Sequence, residues 1–97
     1  VKPRGTAGAV VHCGTLYLIG GESQTASKVL DQVEAIDTAS VLDGKPWHPF
    51  VPLPTARAFS RSVVFAGRIY VIGGTIEYGA SHEAIGTSTV ELLDQRC

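Results

Sequence analysis

The sequence predicts an all-β fold in which a four-stranded antiparallel sheet is followed by a second, incomplete copy of the same sheet. Three observations predict this fold: an internal repeat, short apolar runs separated by glycine turns, and no helical apolar spacing sustained over a helix length. The composition agrees, because 97 residues with 44% apolar and 18% charged side chains are ordinary globular material for one domain at most.

The internal repeat is the strongest of these observations. Eight residues of the first half recur in the same order 53 positions later, and three more recur at an offset of 57. The second copy therefore carries four additional residues, which fall after its double glycine. The residues that recur are Arg4, Val10, Val11, Gly14, Tyr17, Ile19, Gly20 and Gly21, followed by Val33, Glu34 and Asp37.

The first two strands of each copy form a predicted hairpin. In the first copy, residues 9–12 are followed by a tight turn at Cys13-Gly14 and a second strand at residues 16–19. Both alternating faces of the second strand are apolar, which is typical of a sheet covered on two sides. The corresponding segments of the second copy are residues 62–65, the turn Ala66-Gly67 and residues 69–72.

Later strands complete the first copy only. Third strands are predicted at residues 33–37 and 90–94, and a fourth runs over residues 47–51. Because Pro49 cannot donate to a ladder, this fourth strand should be an outer edge. The second copy stops at Cys97, before any fourth strand, so we expect the chain to be part of a longer protein.

Charge and hydropathy exclude two classes of partner. A net charge of -1 and a pI of about 6.3 offer no basic surface for phosphates, so we expect no nucleic acid as partner. The apolar stretches are far shorter than the roughly 20 residues that span a bilayer, so we expect no membrane association. Cys13 and Cys97 are too sparse for a disulfide scaffold. We expect free thiols and a cytoplasmic location, with one bridge in a secreted protein as the alternative.

The two copies resemble Kelch repeats. In each copy an apolar strand ends in a double glycine, and a Val-Glu-x-x-Asp segment follows. The first copy continues with a spaced Trp47, and residues 52–57 resemble the lead-in to a next repeat. Two features depart from the pattern: Ile36 and Leu93 replace the aromatic residue often found before the aspartate, and the second copy lacks its tryptophan. The resemblance covers nearly the whole chain.

This resemblance implies two consecutive blades of a Kelch-type β-propeller, which are four-stranded antiparallel sheets stacked around a channel. Repeat 1 would occupy residues 4–56, and repeat 2 residues 57–97. The implied function is a non-enzymatic scaffold that binds a protein or peptide partner through blade loops, a substrate adaptor being one form of it. Further blades, in the same chain or by self-association, would be its other partners. The alternatives are the scaffold part of a propeller enzyme, an oxidase or a sugar epimerase, and a glycan-binding propeller.

The loops after the double glycines, residues 22–30 in the first copy and residues 75–87 in the second, break the repeat, and function in propellers resides on such loops. By the resemblance, they and the segments before the first strands form one partner-binding face. Arg4 and Arg57 recur at equivalent positions of the two copies. The alternative to partner contact is therefore that these two arginines hold the blades together by hydrogen bonds. Tyr78 occurs in one copy only and is the clearest candidate for a partner contact. The candidate residues are Arg4, Gly5, Thr6, Glu22, Ser23, Gln24, Arg57, Phe59, Thr75, Glu77 and Tyr78.

No segment has the pattern of a catalytic or cofactor site. The double glycines lack the phosphate-loop spacing, and Ser60 and Ser62 lack a nucleophile elbow. His12, His48 and His82 are scattered without a spacing that suits a metal. We therefore expect no catalytic residue, no metal and no cofactor.

Overall fold

A computed structural model describes residues 4–23, 28–79, 81 and 83–93, with only the backbone of Arg4. Within these residues the fold consists of β-strands and one short 3-10 helix, Thr38–Asp43. The strands are β1 (Arg4–Gly5), β2 (Gly8–His12), β3 (Thr15–Ile19), β4 (Glu22–Ser23), β5 (Val33–Asp37), β6 (His48–Phe50), β7 (Arg61–Phe65), β8 (Arg68–Ile72), β9 (Thr75–Tyr78), β10 (Ala84–Gly86) and β11 (Val90–Leu93).

Two antiparallel sheets carry the repeat. The first sheet has the order β2-β3-β5-β6 and the second the order β11-β8-β7. In each sheet the adjacent strands follow one another in chain order, but β4 comes between β3 and β5 in the sequence, and β9 and β10 come between β8 and β11. The all-β prediction is confirmed, as are the first, second and third strands of both copies to within a residue or two at each described end. Asp94, where the last predicted strand ended, lies outside the described residues.

The hairpin turns have the geometry that the twist of the strands requires. At both turns the two central residues have positive φ: 54° and 74° at Cys13 and Gly14, and 52° and 74° at Ala66 and Gly67. Such turns match the right-handed twist of flanking strands, and their second residue is commonly glycine. The predicted tight turns are therefore confirmed in both copies.

One edge of the first sheet is β6, which pairs only with β5 among the described strands. Pro49 lies opposite Glu34 on this edge strand. An edge suits proline because it has no N–H to donate to a further strand. The segment between β5 and β6 holds the 3-10 helix, which the sequence did not predict. Its N-cap is Asp37, whose side chain accepts a hydrogen bond from Ala39 N over 3.0 Å.

The core lies between the two sheets. On β3, Tyr17 and Ile19 bury the same face that Val33 and Ala35 bury on β5, because these residues are cross-strand neighbours. The second sheet contributes Ile69, Val71 and Leu93, and Leu53 of the connecting segment joins them. Alternation of side chains along each strand therefore turns one face of each sheet towards the other.

Two predictions about irregular segments were wrong. The segment at residues 75–87 was predicted as a loop but contains the hairpin β9-β10, in which Tyr78 pairs with Ala84. The segment after the first double glycine likewise begins with β4, which pairs with β1. These strands are only two to four residues long, which is too short for the alternation that indicates a strand in a sequence.

The expectation of free thiols was also wrong, because Cys13 is disulfide-bonded. The chain has one other cysteine, Cys97, which lies outside the described residues. Disulfides persist mainly in oxidising compartments, so Cys13 does not support the cytoplasmic expectation. No helix in the described part of the chain is long and apolar enough to cross a membrane.

Candidate partner-binding face

The segments before β2 and β7 each pair with the segment that follows a double glycine. Gly5 pairs with Glu22, and 53 positions later Ala58 forms an isolated bridge with Thr75. The second bridge is double, since Ala58 N donates to Thr75 O over 2.9 Å and Thr75 N donates to Ala58 O over 2.7 Å. Each repeat therefore fixes its variable segment to the start of its own sheet.

Directly after these pairs, Thr6 and Phe59 occupy equivalent positions with an unusual backbone. Both have a φ of 58°, in the left-handed region that residues other than glycine rarely adopt. Phe59 N donates to Thr6 O over 3.0 Å, so the two strained residues join the two repeats. The Phe59 side chain is 57% exposed. The fold therefore presents a bulky aromatic side chain at the surface, although the backbone conformation of this residue costs free energy.

Tyr78 bridges the two variable segments. Its hydroxyl donates a hydrogen bond to Glu22 Oε2 over 2.9 Å, and both side chains are half-buried. This hydrogen bond raises the pKa of Tyr78 above its ordinary value of 10.0, with desolvation and the negative charge of Glu22 adding to the effect. The bond holds the phenol in place beside a carboxylate.

Arg57 lies inside the fold. Its side chain is fully buried, and the guanidinium donates to Gly73 O over 2.9 Å and to Thr89 Oγ1 over 3.1 Å. It also forms an ion pair with Glu91, with 2.7 Å between Nη2 and Oε1. These contacts match the alternative that the sequence left open, in which the recurring arginine holds the structure together.

The backbone of Arg57 ties the same residue to the first repeat. Gly21 N donates to Arg57 O over 2.8 Å, and Arg57 N donates to Leu30 O over 3.0 Å. Arg57 therefore joins the first double glycine through its carbonyl and the second, at Gly73, through its side chain. Its full burial removes it from the surface that a partner could touch.

The other candidates separate into buried and exposed residues. Thr75 is buried, and Ser23 pairs with Arg4 in the β1-β4 ladder. Glu77 is exposed on β9. Gln24 and the Arg4 side chain lie outside what the structure describes. We call the described candidates that are half-buried or exposed the loop face: Thr6, Glu22, Ser23, Phe59, Glu77 and Tyr78.

Two serines of the second repeat, Ser60 and Ser62, follow Phe59 of this face. The hydroxyls of Ser60, Ser62 and Thr6 are buried and have no hydrogen-bond partner among the described residues. A Cβ on Gly8 would lie 2.8 Å from Ser62 Oγ, so the glycine makes room for this hydroxyl. Comparing the two copies could have found the serines, because they replace Ala7 and Ala9 of the first repeat.

The described histidines do not form a metal site. His12 is buried at the end of β2, and His48 is exposed on the edge strand β6. His82 lies outside the described residues. In the described ranges, no three His, Cys, Asp or Glu side chains are placed to hold a metal ion.

Comparison with known proteins gives one family and one curated relative that this chain resembles. The sequence profile of the Kelch motif matches residues 3–40, which include β1 to β5. A curated relative, the Kelch repeat and BTB domain-containing protein 12 of Danio rerio, is 38% identical over 61 aligned residues. The alignment covers 61% of this chain and 9% of the relative, so the chain spans a small part of that protein's length.

Proposed function

Because the chain belongs to the Kelch-repeat family, we propose that its two repeats form a non-catalytic interaction module that binds a protein or peptide partner through the loop face. The observation that carries this proposal is the hydrogen bond between Tyr78 and Glu22, which fixes an aromatic side chain that occurs in one repeat only. A substrate adaptor is a narrower form of the same function.

The loop face suits binding because its aromatic groups are held before a partner arrives. Phe59 is presented on a strained backbone, and Tyr78 is held by its hydroxyl. A side chain that is already ordered loses little rotamer freedom on binding, and aromatic residues are frequent interface anchors. The strain at Phe59 is of the kind that persists at functional positions.

The charge of the loop face favours a basic partner. Glu22 accepts the hydrogen bond of the Tyr78 hydroxyl, and Glu77 is exposed one position before Tyr78 on β9, whereas the guanidinium of Arg57 is buried. An arginine or lysine side chain of a partner could pair with a carboxylate and stack on an aromatic ring. We therefore propose an extended peptide segment that carries arginine as the partner.

A displayed library of random peptides, selected on the immobilised chain, tests the proposal. We expect the enriched peptides to contain arginine or lysine next to an apolar residue. Each enriched peptide is then synthesised and titrated calorimetrically into the wild-type chain and into Phe59→Ala and Glu77→Gln variants. Weaker binding to both variants supports the loop face.

The matched control is Phe65→Ala, which removes an exposed phenylalanine of β7 outside the loop face. Peptides that lose affinity for Phe65→Ala as much as for Phe59→Ala bind elsewhere, and that result contradicts the proposal. A selection that enriches no peptide also contradicts it.

A further inference from the structure

Three hydroxyl groups are buried where the two repeats meet. The oxygens Oγ1 of Thr6 and Oγ of Ser60 and Ser62 are buried, and none of them has a hydrogen-bond partner among the described residues. A buried hydroxyl that makes no hydrogen bond costs free energy, and buried polar groups in folded proteins are mostly paired with protein or with ordered water. These three hydroxyls therefore require a partner.

Contacts between the two repeats bring these hydroxyls to one place. Phe59 N donates to Thr6 O over 3.0 Å, which joins the segment before β2 to the segment before β7. A Cβ on Gly8 would lie 2.8 Å from Ser62 Oγ and 3.7 Å from Ser60 O, so both serines lie beside the first residue of β2. We call this place the hydroxyl junction: Thr6, Ser60 and Ser62.

The backbone around the hydroxyl junction is fixed on the side of the second repeat. Ala58 forms two backbone hydrogen bonds with Thr75, and a Cβ on Gly74 would lie only 3.0 Å from Ser60 N. Ser62 lies within the ladder that joins β7 to β8. Each hydroxyl can turn about its own bond, but the backbone has little room to carry its oxygen towards another protein group.

The serines of the hydroxyl junction are specific to the second repeat. Ser60 and Ser62 correspond to Ala7 and Ala9, which lie 53 positions earlier in the first repeat. Alanine has no side-chain group that requires a hydrogen bond. The second repeat therefore adds two hydroxyls to a position where the repeat itself does not need them.

We propose that the hydroxyl junction binds ordered water that bridges the two repeats. A buried water molecule typically makes about three hydrogen bonds to polar groups that would otherwise be unpaired. A hydroxyl can both donate and accept, so water can pair with each of the three. None of the three side chains is charged, and an ion buried among neutral groups loses far more hydration than a water molecule does. The chemistry of the junction thus favours a neutral ligand.

The double variant Ser60→Ala/Ser62→Ala tests the proposal, because it gives the second repeat the residues of the first. Magnetic relaxation dispersion of water ¹⁷O detects water molecules that stay bound for longer than the tumbling time of the protein. We expect the double variant to lose the contribution of at least one such molecule. The matched control is Ser81→Ala, which removes an exposed serine hydroxyl between β9 and β10 and should leave the dispersion unchanged.

A high-resolution crystal structure of the wild-type chain provides a test that does not depend on any variant. We expect a water oxygen within hydrogen-bond distance of at least two of the three hydroxyls. A crystal soaked in rubidium chloride separates water from a monovalent cation, because rubidium gives an anomalous signal and water gives none.

Three results would overturn the proposal. An unchanged dispersion in a folded double variant, checked by far-ultraviolet circular dichroism, shows that the serines hold no long-lived water. Hydroxyls that bond directly to other groups of the protein in the crystal show that the junction needs no ligand. A rubidium peak at the junction identifies a cation site instead.

Discussion

Tyr78 and Glu22 are 56 positions apart in the chain, and the hydrogen bond between Tyr78 Oη and Glu22 Oε2 over 2.9 Å joins the variable segments of two successive repeats. The sequence predicts Tyr78 on a loop after the second double glycine, as a candidate for a partner contact. The structure instead has a half-buried Tyr78 at the end of β9, anchored by its hydroxyl. A partner that uses this residue would meet an aromatic ring that is already positioned.

Replacing Tyr78 by alanine should weaken binding of a selected peptide. Truncating an interface hot spot costs roughly thirtyfold in affinity. Tyr78→Phe keeps the ring and loses only the hydroxyl contact with Glu22, so we expect a smaller loss. Calorimetric titration measures both affinities, with a thermal scan on each variant. An unchanged affinity for Tyr78→Ala would remove Tyr78 from the site.

The pKa of Tyr78 should depend on Glu22. Its folded-state pKa lies above the ordinary value of 10.0, so the neutral phenol is the stabilised form. The contribution to stability is present below the unfolded-state pKa and is lost as the pH rises through the folded-state pKa. Titration of ¹³C-labelled tyrosine by NMR should show that Glu22→Ala lowers the Tyr78 pKa towards 10.0.

Tyr17 is the internal control for this titration. Its pKa is raised by burial in the core, although its side-chain hydrogen bond with Thr15 acts in the opposite direction. Glu22→Ala should leave the Tyr17 pKa unchanged. A Tyr78 pKa that does not respond to the substitution would show that the hydrogen bond is absent in solution.

Removing the Arg57 guanidinium should strongly destabilise the fold. Arg57→Met leaves Glu91, whose side chain is 15% exposed, without its cation and leaves Gly73 O without its donor. Breaking a buried ion pair in this way costs about 3 kcal/mol in the free energy of unfolding. Urea denaturation at fixed protein concentration measures the loss, and Arg61→Met, at an exposed arginine, is the control.

The double variant Arg57→Met/Glu91→Met gives a sharper test of the same ion pair. If the cost of Arg57→Met arises from an uncompensated charge, removing Glu91 as well should restore part of the lost stability. Additive losses in the two single variants would mean that Arg57 acts through its other hydrogen bonds and its packing alone.

Three glycines have nearly equal φ values but differ in the space around them. Substitutions at these positions therefore separate the cost of backbone strain from the cost of a steric clash. Gly44, Gly73 and Gly20 have φ values of 67°, 64° and 64°. A Cβ at Gly44 would meet nothing within 4 Å, and one at Gly73 would lie 3.4 Å from Thr87 O. A Cβ at Gly20 would overlap the carbonyl oxygen of Arg57.

Alanine at Gly44 and Gly73 should therefore cost about 1 kcal/mol, the strain of a left-handed residue, and alanine at Gly20 clearly more. Urea denaturation of the three variants at one protein concentration gives the free energies of unfolding. Equal losses at Gly20 and Gly44 would contradict the close approach of Arg57 to the first double glycine.

Phe59→Gly should separate stability from binding. Glycine relieves the positive φ of this residue, while the more flexible unfolded chain offsets the gain, so we expect a change within about 1 kcal/mol in either direction. Peptide affinity should fall, because the exposed ring is lost. Thr6→Gly relieves the same φ of 58° without removing an aromatic ring and is the matched variant. A fall in melting temperature without loss of affinity would make Phe59 a structural residue.

Local physical rules made much of this fold predictable from the sequence. Glycine at the turns, alternation on the strands and Pro49 on β6 each act within a few residues, so they indicated the strands, both tight hairpin turns and the outer edge. The recurrence of residues 53 positions apart predicted that the two sheets have the same construction. These features depend on backbone geometry and steric fit among a few neighbouring residues, so the local sequence is sufficient to predict them.

Only the tertiary structure decided which candidate residues are accessible. Arg57 and Tyr78 were both candidates for partner contact, but stacking of the two sheets buries the first and joins the second to Glu22. Burial and pairing of this kind depend on segments far apart in the chain, and the residue types alone do not determine them. The hairpin β9-β10 and the disulfide at Cys13 were missed because each likewise depends on the three-dimensional arrangement of the chain and has no periodic signal in the sequence.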